Sequence, residues 1–152
     1  MHGQGKSGFS LVEIMIVSSI IGLLAALGIP AMNHAGIRTR NRIFAAEITA
    51  AGQAFVQYAL DFGTYPPDTT PSRMPSGMSG YLRNADWTED TVIGGKWDWD
   101  NGQFGVSAAV SVYSPDRTTE QMAKIDGIID DGNLATGQFR ARTSGYMYIL
   151  EE

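Results

Sequence analysis

Residues 8–37 read GFSLVEIMIVSSIIGLLAALGIPAMNHAGI. The 24 residues from Ile14 to Ile37 contain no Asp, Glu, Lys or Arg. The heart of this run is apolar nearly all round. At about 1.5 Å of rise per residue, a helix of this length crosses a hydrocarbon core of about 30 Å. A buried core helix has a similar composition, but a chain of 152 residues can hardly cover one on every side. The run therefore reads as a membrane span. A secretory signal peptide is the nearest competitor, with Lys6 as its basic start and Ala26-Leu27-Gly28 as its small-residue cut site. Glu13 opposes that reading, because an acid at the edge of the apolar run raises the cost of insertion with no benefit to a signal peptide. The helical pattern also continues past that cut site.

Outward from the span, the charge divides. Residues 1–42 carry Lys6, Arg38, Arg40 and Arg42 against the single acid Glu13, whereas residues 43–152 carry 7 basic and 15 acidic residues. An acidic C-terminal part argues against nucleic acid as a partner. The chain has no Cys, which excludes disulfides, thiolate catalysis and Cys-ligated zinc. His2 and His34 are its only imidazoles, and both lie in the N-terminal quarter, so the remainder holds no His-based triad or His-rich metal site. Gly94-Gly95 before Lys96 lacks the spacing of a phosphate-cradling loop, and there is no dinucleotide fingerprint. The sequence reads as that of a non-enzyme.

The helical pattern runs on beyond the span. Phe44, Ile48, Ala51, Phe55, Tyr58 and Phe62 recur every three or four residues, a stripe that docks a helix onto a sheet. Gly63 and Pro66-Pro67 end that helix. Gly28-Ile29-Pro30 should bend or partly melt it, because proline removes a donor and crowds the preceding turn. From Phe9 to Phe62 the helix would run roughly 80 Å if continuous. Residues 64–80 form a loop rich in Pro, Ser, Thr and Gly, pinned by Tyr65 and Met74. Trp97-Asp98-Trp99-Asp100 alternates as a strand, Asn101-Gly102 signals a two-residue hairpin turn, and Phe104 to Tyr113 returns as the second strand. A parity shift at Ala108-Ala109 marks a bulge. Thr118 with Gln121 reads as a capping box for a short helix through about Ile129. Phe139–Ala141 and Tyr146–Leu150 form a last hairpin. The fold class is α+β: a long N-terminal helix, membrane-spanning in its first half, packed on a small antiparallel sheet.

Two acidic clusters are candidates for a hard cation such as calcium. Asp98, Asp100 and Asn101 lie on a strand, where six to eight oxygens do not converge. Asp126, Asp130, Asp131 and Asn133 sit at a helix end followed by a turn, which is the better cage. A solvated turn is the commoner identity of such a cluster, and no metal is committed to it.

Gly8-Phe9-Ser10-Leu11-Val12-Glu13 before an apolar helix containing Pro30 resembles the N-terminus of type IV pilins and type II secretion pseudopilins. The resemblance covers residues 1–35. It implies a leader over residues 1–8, cut after Gly8 by a prepilin peptidase, and N-methylation of Phe9. It further implies pairing of Glu13, the fifth mature residue, with a neighbouring subunit's N-terminal amine, and a filament built through a helix in which Pro30 is the twenty-second mature residue. The implied organisation is a leader (1–8), a transmembrane and assembly helix (9–36), its amphipathic continuation (37–62) and a soluble head (63–152). The implied partners are copies of itself, other pilin-like subunits, prepilin peptidase, an inner-membrane assembly platform and the bilayer. Lys6 on one side of the span against three Arg on the other would by charge bias put the head in the cytoplasm. The family places the N-terminus there and the head outside, and its cut-site motif is the more specific signal. Asp61-Phe62-Gly63-Thr64-Tyr65-Pro66 is similar to the segment that ends this helix in major pseudopilins, and the absence of Cys departs from the disulfide-bounded loop of many adhesive pilins. Together these favour a type II secretion pseudopilin over a type IV pilus pilin. Major pseudopilins also use a calcium loop, and its residues find no match here. A membrane-anchored binding domain that never polymerises is the alternative of another class.

Overall fold

The computed structural model describes residues 8–82 and 86–152. Apart from Gly8, the expected leader lies outside the described residues. The elements are α1 (Leu11–Phe62), a short 3-10 turn (Met78–Gly80), β1 (Lys96–Asn101), β2 (Ala108–Tyr113), α2 (Thr119–Ile129), β3 (Phe139–Arg142) and β4 (Gly145–Glu151). The chain divides after Arg38 into two compact units.

In the first unit the opening of α1 presents its large apolar side chains, Leu11 through Ile29, to the surroundings. The helix is continuous through Gly28-Ile29-Pro30, so the expected local melting is absent. Proline removes one donor from the ladder, and the helix runs on across that single gap.

In the second unit the stripe on α1 does what its spacing predicts. Phe44, Ile48, Ala51 and Phe55 are buried, Tyr58 is half-buried, and Phe62, at 62% exposure, runs past the sheet. Gly63, at φ +76°, donates its N–H to the Ala59 carbonyl at 2.8 Å and ends the helix in the left-handed conformation that glycine adopts without strain. The sheet has strand order β1-β2-β4-β3 with every neighbouring pair antiparallel. Its helix-facing side carries Trp97, Trp99, Val110, Val112 and Phe139, which form one core with the α1 stripe, Trp87, Met122 and Ile125. The rings stack: Phe55 on Trp99 at 3.8 Å and 6°, Phe44 on Trp97 at 5.7 Å and 15°, Trp87 on Trp97 at 5.6 Å and 19°.

The loop from Thr64 onward is held by these rings. Trp99 Nε1 donates to the Pro66 carbonyl and Trp87 Nε1 to the Arg73 carbonyl, both at 3.0 Å. Ser72 N–H reaches the Trp97 carbonyl at 2.8 Å, and Tyr65 and Met74 pack on the core, as expected of them. The loop thereby covers the free edge of β1, a strand edge that would otherwise offer unpaired backbone groups.

Two local expectations need correction. The first hairpin does not turn at Asn101-Gly102 alone: β2 begins at Ala108, and residues 102–107 form a longer loop closed by Gly102 N–H on the Ser107 carbonyl at 2.9 Å. Burial decides this. Val106 joins Ala109, Met147 and Ile149 in a second cluster on the sheet's other face, which a two-residue turn would leave uncovered. The strand face bearing Asp98 and Asp100 is buried as well. The capping box of α2 is half formed: Thr118 Oγ1 accepts the Gln121 N–H at 3.3 Å, but the Gln121 side chain donates to Asn41 Oδ1 of α1 at 2.8 Å. The register shift between Ala108 and Ala109 lies where the parity shift indicated a bulge.

Candidate processing and assembly site

The start of α1 is set by a reciprocal cap. Ser10 N–H donates to Glu13 Oε2 at 2.7 Å, and Glu13 N–H donates to Ser10 Oγ at 3.3 Å. This is a capping box, and its Ser-x-x-Glu spacing was open to reading in the sequence. It holds the carboxylate at the positive end of the helix, where the dipole favours an anion. Phe9, at 85% exposure, and Gly8 precede it outside the helix, open to solvent. A side chain built at Gly8 would meet nothing within 4 Å. Neither packing nor a positive φ therefore demands glycine at that position.

Behind the cap stands a surface that water does not tolerate. The most apolar window of α1 is long enough to cross a membrane and has none of its residues buried. An exposed apolar area of this extent calls for lipid or other helices as cover. Arg38, Arg40 and Arg42 follow on the exposed helix. Pro30 lies within the helix.

The acidic candidates separate into two environments. Asp98 and Asp100 converge on Arg142, which reaches from β3 at the far side of the sheet: Arg142 Nη2 to Asp98 Oδ2 is 2.6 Å, and Arg142 Nε to Asp100 Oδ2 is 3.3 Å. Asp100 also accepts the Ser111 hydroxyl, and the guanidinium lies 4.5 Å from the Phe104 ring centre. Burial and the neighbouring Asp100 push Asp98 up to about 6, against the pull of Arg142; burial also raises Asp100. With a cation already supplied by the protein, this cluster is an internal ion-pair lock, and its part as a metal cage is withdrawn. Neither Arg142 nor the Phe104 cover was found by sequence reasoning, since nothing in the spacing ties residue 142 to residue 98.

Asp126, Asp130 and Asp131 do come together, each offering a carboxylate oxygen within 4.8 Å of the others. Asp126 is fully buried, and burial followed by the charges of Asp131 and Asp130 pushes it up to about 6. Asn133 turns its side-chain oxygen to the Ala135 N–H at 3.2 Å.

Fold and site together define a class of protein: a membrane-length helix opening on a glycine-bounded, acid-capped segment and leading into an antiparallel-sheet unit. A family model described as the prokaryotic N-terminal methylation motif matches residues 4–29. Over 76 residues the chain is 37% identical to the type IV major pilin protein PilE of Neisseria gonorrhoeae, covering 49% of this chain and 44% of that protein. Over 87 residues it is 34% identical to the fimbrial protein EcpC of Eikenella corrodens, covering 56% of each. Over 66 residues it is 36% identical to the type II secretion system core protein G of Pseudomonas aeruginosa, covering 43% of this chain and 46% of that one. The chain thus spans about half the length of the curated relatives it matches. No solved structure matches it. The chain is thus similar, over its N-terminal half, to type IV pilins and to a type II secretion core protein, and it carries the N-terminal methylation motif.

Proposed function

We propose that the chain is a structural subunit of a pilus or pseudopilus, cut between Gly8 and Phe9, methylated at Phe9 and assembled through the helix that begins there. The observation that carries this is Glu13, the one acid of residues 1–42, at the mouth of the exposed apolar stretch of α1. In lipid or in a helix bundle such a charge is unfavourable unless paired. Cleavage creates an amine at Phe9, and a neighbouring copy can bring that cation to Glu13. The Ser10 cap does not block this, because an ionised carboxylate accepts several hydrogen bonds. A wrong stagger leaves both charges unpaired and is thereby penalised. Pro30, where the helix lacks one donor, is the place for α1 to adjust as copies pack.

Before assembly the subunit is a single-pass inner-membrane protein with a cytoplasmic N-terminus, its head periplasmic or carried into an extracellular filament. Its partners are further copies, other pilin-like subunits, prepilin peptidase and the assembly platform. The finer reading is a type II secretion pseudopilin. Its support is the segment Asp61–Pro66 and the absence of Cys; the relatives include proteins of both kinds. Removing the gene should abolish export of secreted proteins, and loss of surface pili with export intact would instead mark a pilus pilin.

The decisive experiment is the mass of the mature N-terminus. A chain beginning at Phe9 with one added methyl supports the reading; a chain retaining Met1, or beginning near Ile29, overturns it. Glu13→Ala should leave the membrane-inserted monomer but abolish filaments, whereas a non-polymerising anchored domain would be indifferent to the change.

A further inference from the structure

Four polar side chains interrupt the charge-free run of α1: Ser18, Ser19, Asn33 and His34. A helical serine satisfies itself by bonding back one turn, as the Ser19 hydroxyl does on the Met15 carbonyl at 2.8 Å. His34 stands exposed on the helix, and among the described residues nothing accepts a hydrogen bond from its ring. An ionisable side chain inside a membrane-length helix is costly, and it is kept where a partner meets it.

The same stretch of helix is short of one donor. Each N–H of an α-helix bonds to the carbonyl four residues earlier. Residue 30 is proline and has no N–H, so the Ala26 carbonyl loses its helical partner. In lipid or in a bundle of helices no water takes that place, and a polar side chain of a neighbouring helix is what satisfies such a freed group.

The pairing of Glu13 with the Phe9 amine of the next copy fixes how two parallel helices are offset. Residue 13 of one lies level with residue 9 of the other, a shift of about 6 Å along the axis. The same shift sets His34 level with residue 30 of the next copy, the position toward which the Ala26 carbonyl points. At about 100° per residue, His34 stands about 60° around the helix from Glu13, so the two share a flank, whereas Asn33 at about 160° faces away.

We infer that His34 of one copy donates its ring N–H to the Ala26 carbonyl of the next, filling the place that Pro30 leaves empty. Either tautomer of the ring carries an N–H for this bond. The contact adds a second point of register far along the helix from the first: a stagger that unpairs Glu13 also withdraws the donor from Ala26. This inference rests on assembly through α1 as proposed above.

The test uses the full mature chain purified in detergent, with filaments formed on detergent removal and pelleted to give the critical concentration. His34→Leu, which keeps bulk but no donor, should raise that concentration about three- to tenfold, the range of one interhelical hydrogen bond in apolar surroundings, and His34→Gln should restore most of the loss. In a Pro30→Ala background Ala26 regains its helical partner, and there His34→Leu should have no effect. Solid-state NMR reads the bond without any substitution. Of the two histidines in the sequence, His2 leaves with the leader, so isotope-labelled histidine marks His34 alone. Filaments grown from a mixture of copies labelled at histidine nitrogen and copies labelled at alanine carbonyl should show a contact between the ring and the Ala26 carbonyl. If the unaltered chain forms no filaments, the assembly reading falls and this inference with it. If filaments form but lack that contact, or His34→Leu leaves their critical concentration unchanged, this inference alone falls. An equal effect of His34→Leu with and without Pro30→Ala marks packing in place of a hydrogen bond and overturns it too.

Discussion

Arg142 is the residue on which the outer face of the sheet turns. Its side chain is 3% exposed and meets two acids that are themselves buried. Removing one member of such a group leaves uncompensated charge in a dry place, at a cost of about 3–5 kcal/mol. Arg142→Ala should therefore lower the denaturant midpoint of the sheet unit strongly, with Arg142→Met less harmful because its stem still packs under Phe104; equilibrium unfolding followed by Trp fluorescence measures both. The same cluster sets a pH dependence. Asp98 is raised to about 6 by burial and by Asp100, despite Arg142, and Asp100 is raised in the same sense. A carboxyl that holds its proton more tightly folded than unfolded favours the fold at low pH. Its contribution is present below about pH 4, declines as pH rises to about 6 and is flat beyond, with a scale of up to about 3 kcal/mol. Unfolding curves between pH 4 and 6.5 should show this decline, and Asp98→Asn should make it shallower; a slope of opposite sign that the variant leaves unchanged would refute the assignment.

Between α1 and the sheet, Gly52 marks a close approach. A Cβ there would come within 2.8 Å of the Tyr148 ring and 2.9 Å of Leu150 Cδ2. Gly52→Leu should destabilise the unit by about 1–3 kcal/mol through overpacking, even though leucine favours a helix by nearly 1 kcal/mol over glycine. At the β3–β4 turn the constraint comes from backbone: a Cβ on Gly145 would lie 2.2 Å from the Val112 carbonyl oxygen. Since that atom cannot rotate away, Gly145→Ala should cost about 2 kcal/mol or more and loosen the β2–β4 pairing, visible as faster amide exchange at Val112 and Tyr113.

For the whole molecule, the dominant fact is that one unit exposes its apolar surface and the other buries its own. Extraction from membranes should require detergent. On its removal the native chain should form ordered filaments, whereas Glu13→Ala should give amorphous aggregate, since apolar attraction survives the change and the charge that fixes stagger does not. Electron microscopy distinguishes the two, and ordered filaments from the variant would remove Glu13 from its proposed role.

The sequence by itself determined whatever depends on neighbours along the chain: a helix apolar and long enough to cross a membrane, the N-terminal methylation motif, the α1 stripe from its period, the helix stop at Gly63 and the last hairpin. Each is a local pattern imposed by helix pitch, strand pleat or backbone conformation. Only the tertiary structure decided what joins distant segments. The strand order places β4 between β2 and β3, and the 102–107 loop folds over the outer face because Val106 gains burial there. Arg142 pairs with acids more than forty residues away, and Asp126 is sealed beside two exposed acids. Burial and charge pairing act through space, and no spacing along the chain encodes which distant groups will share a dry interior.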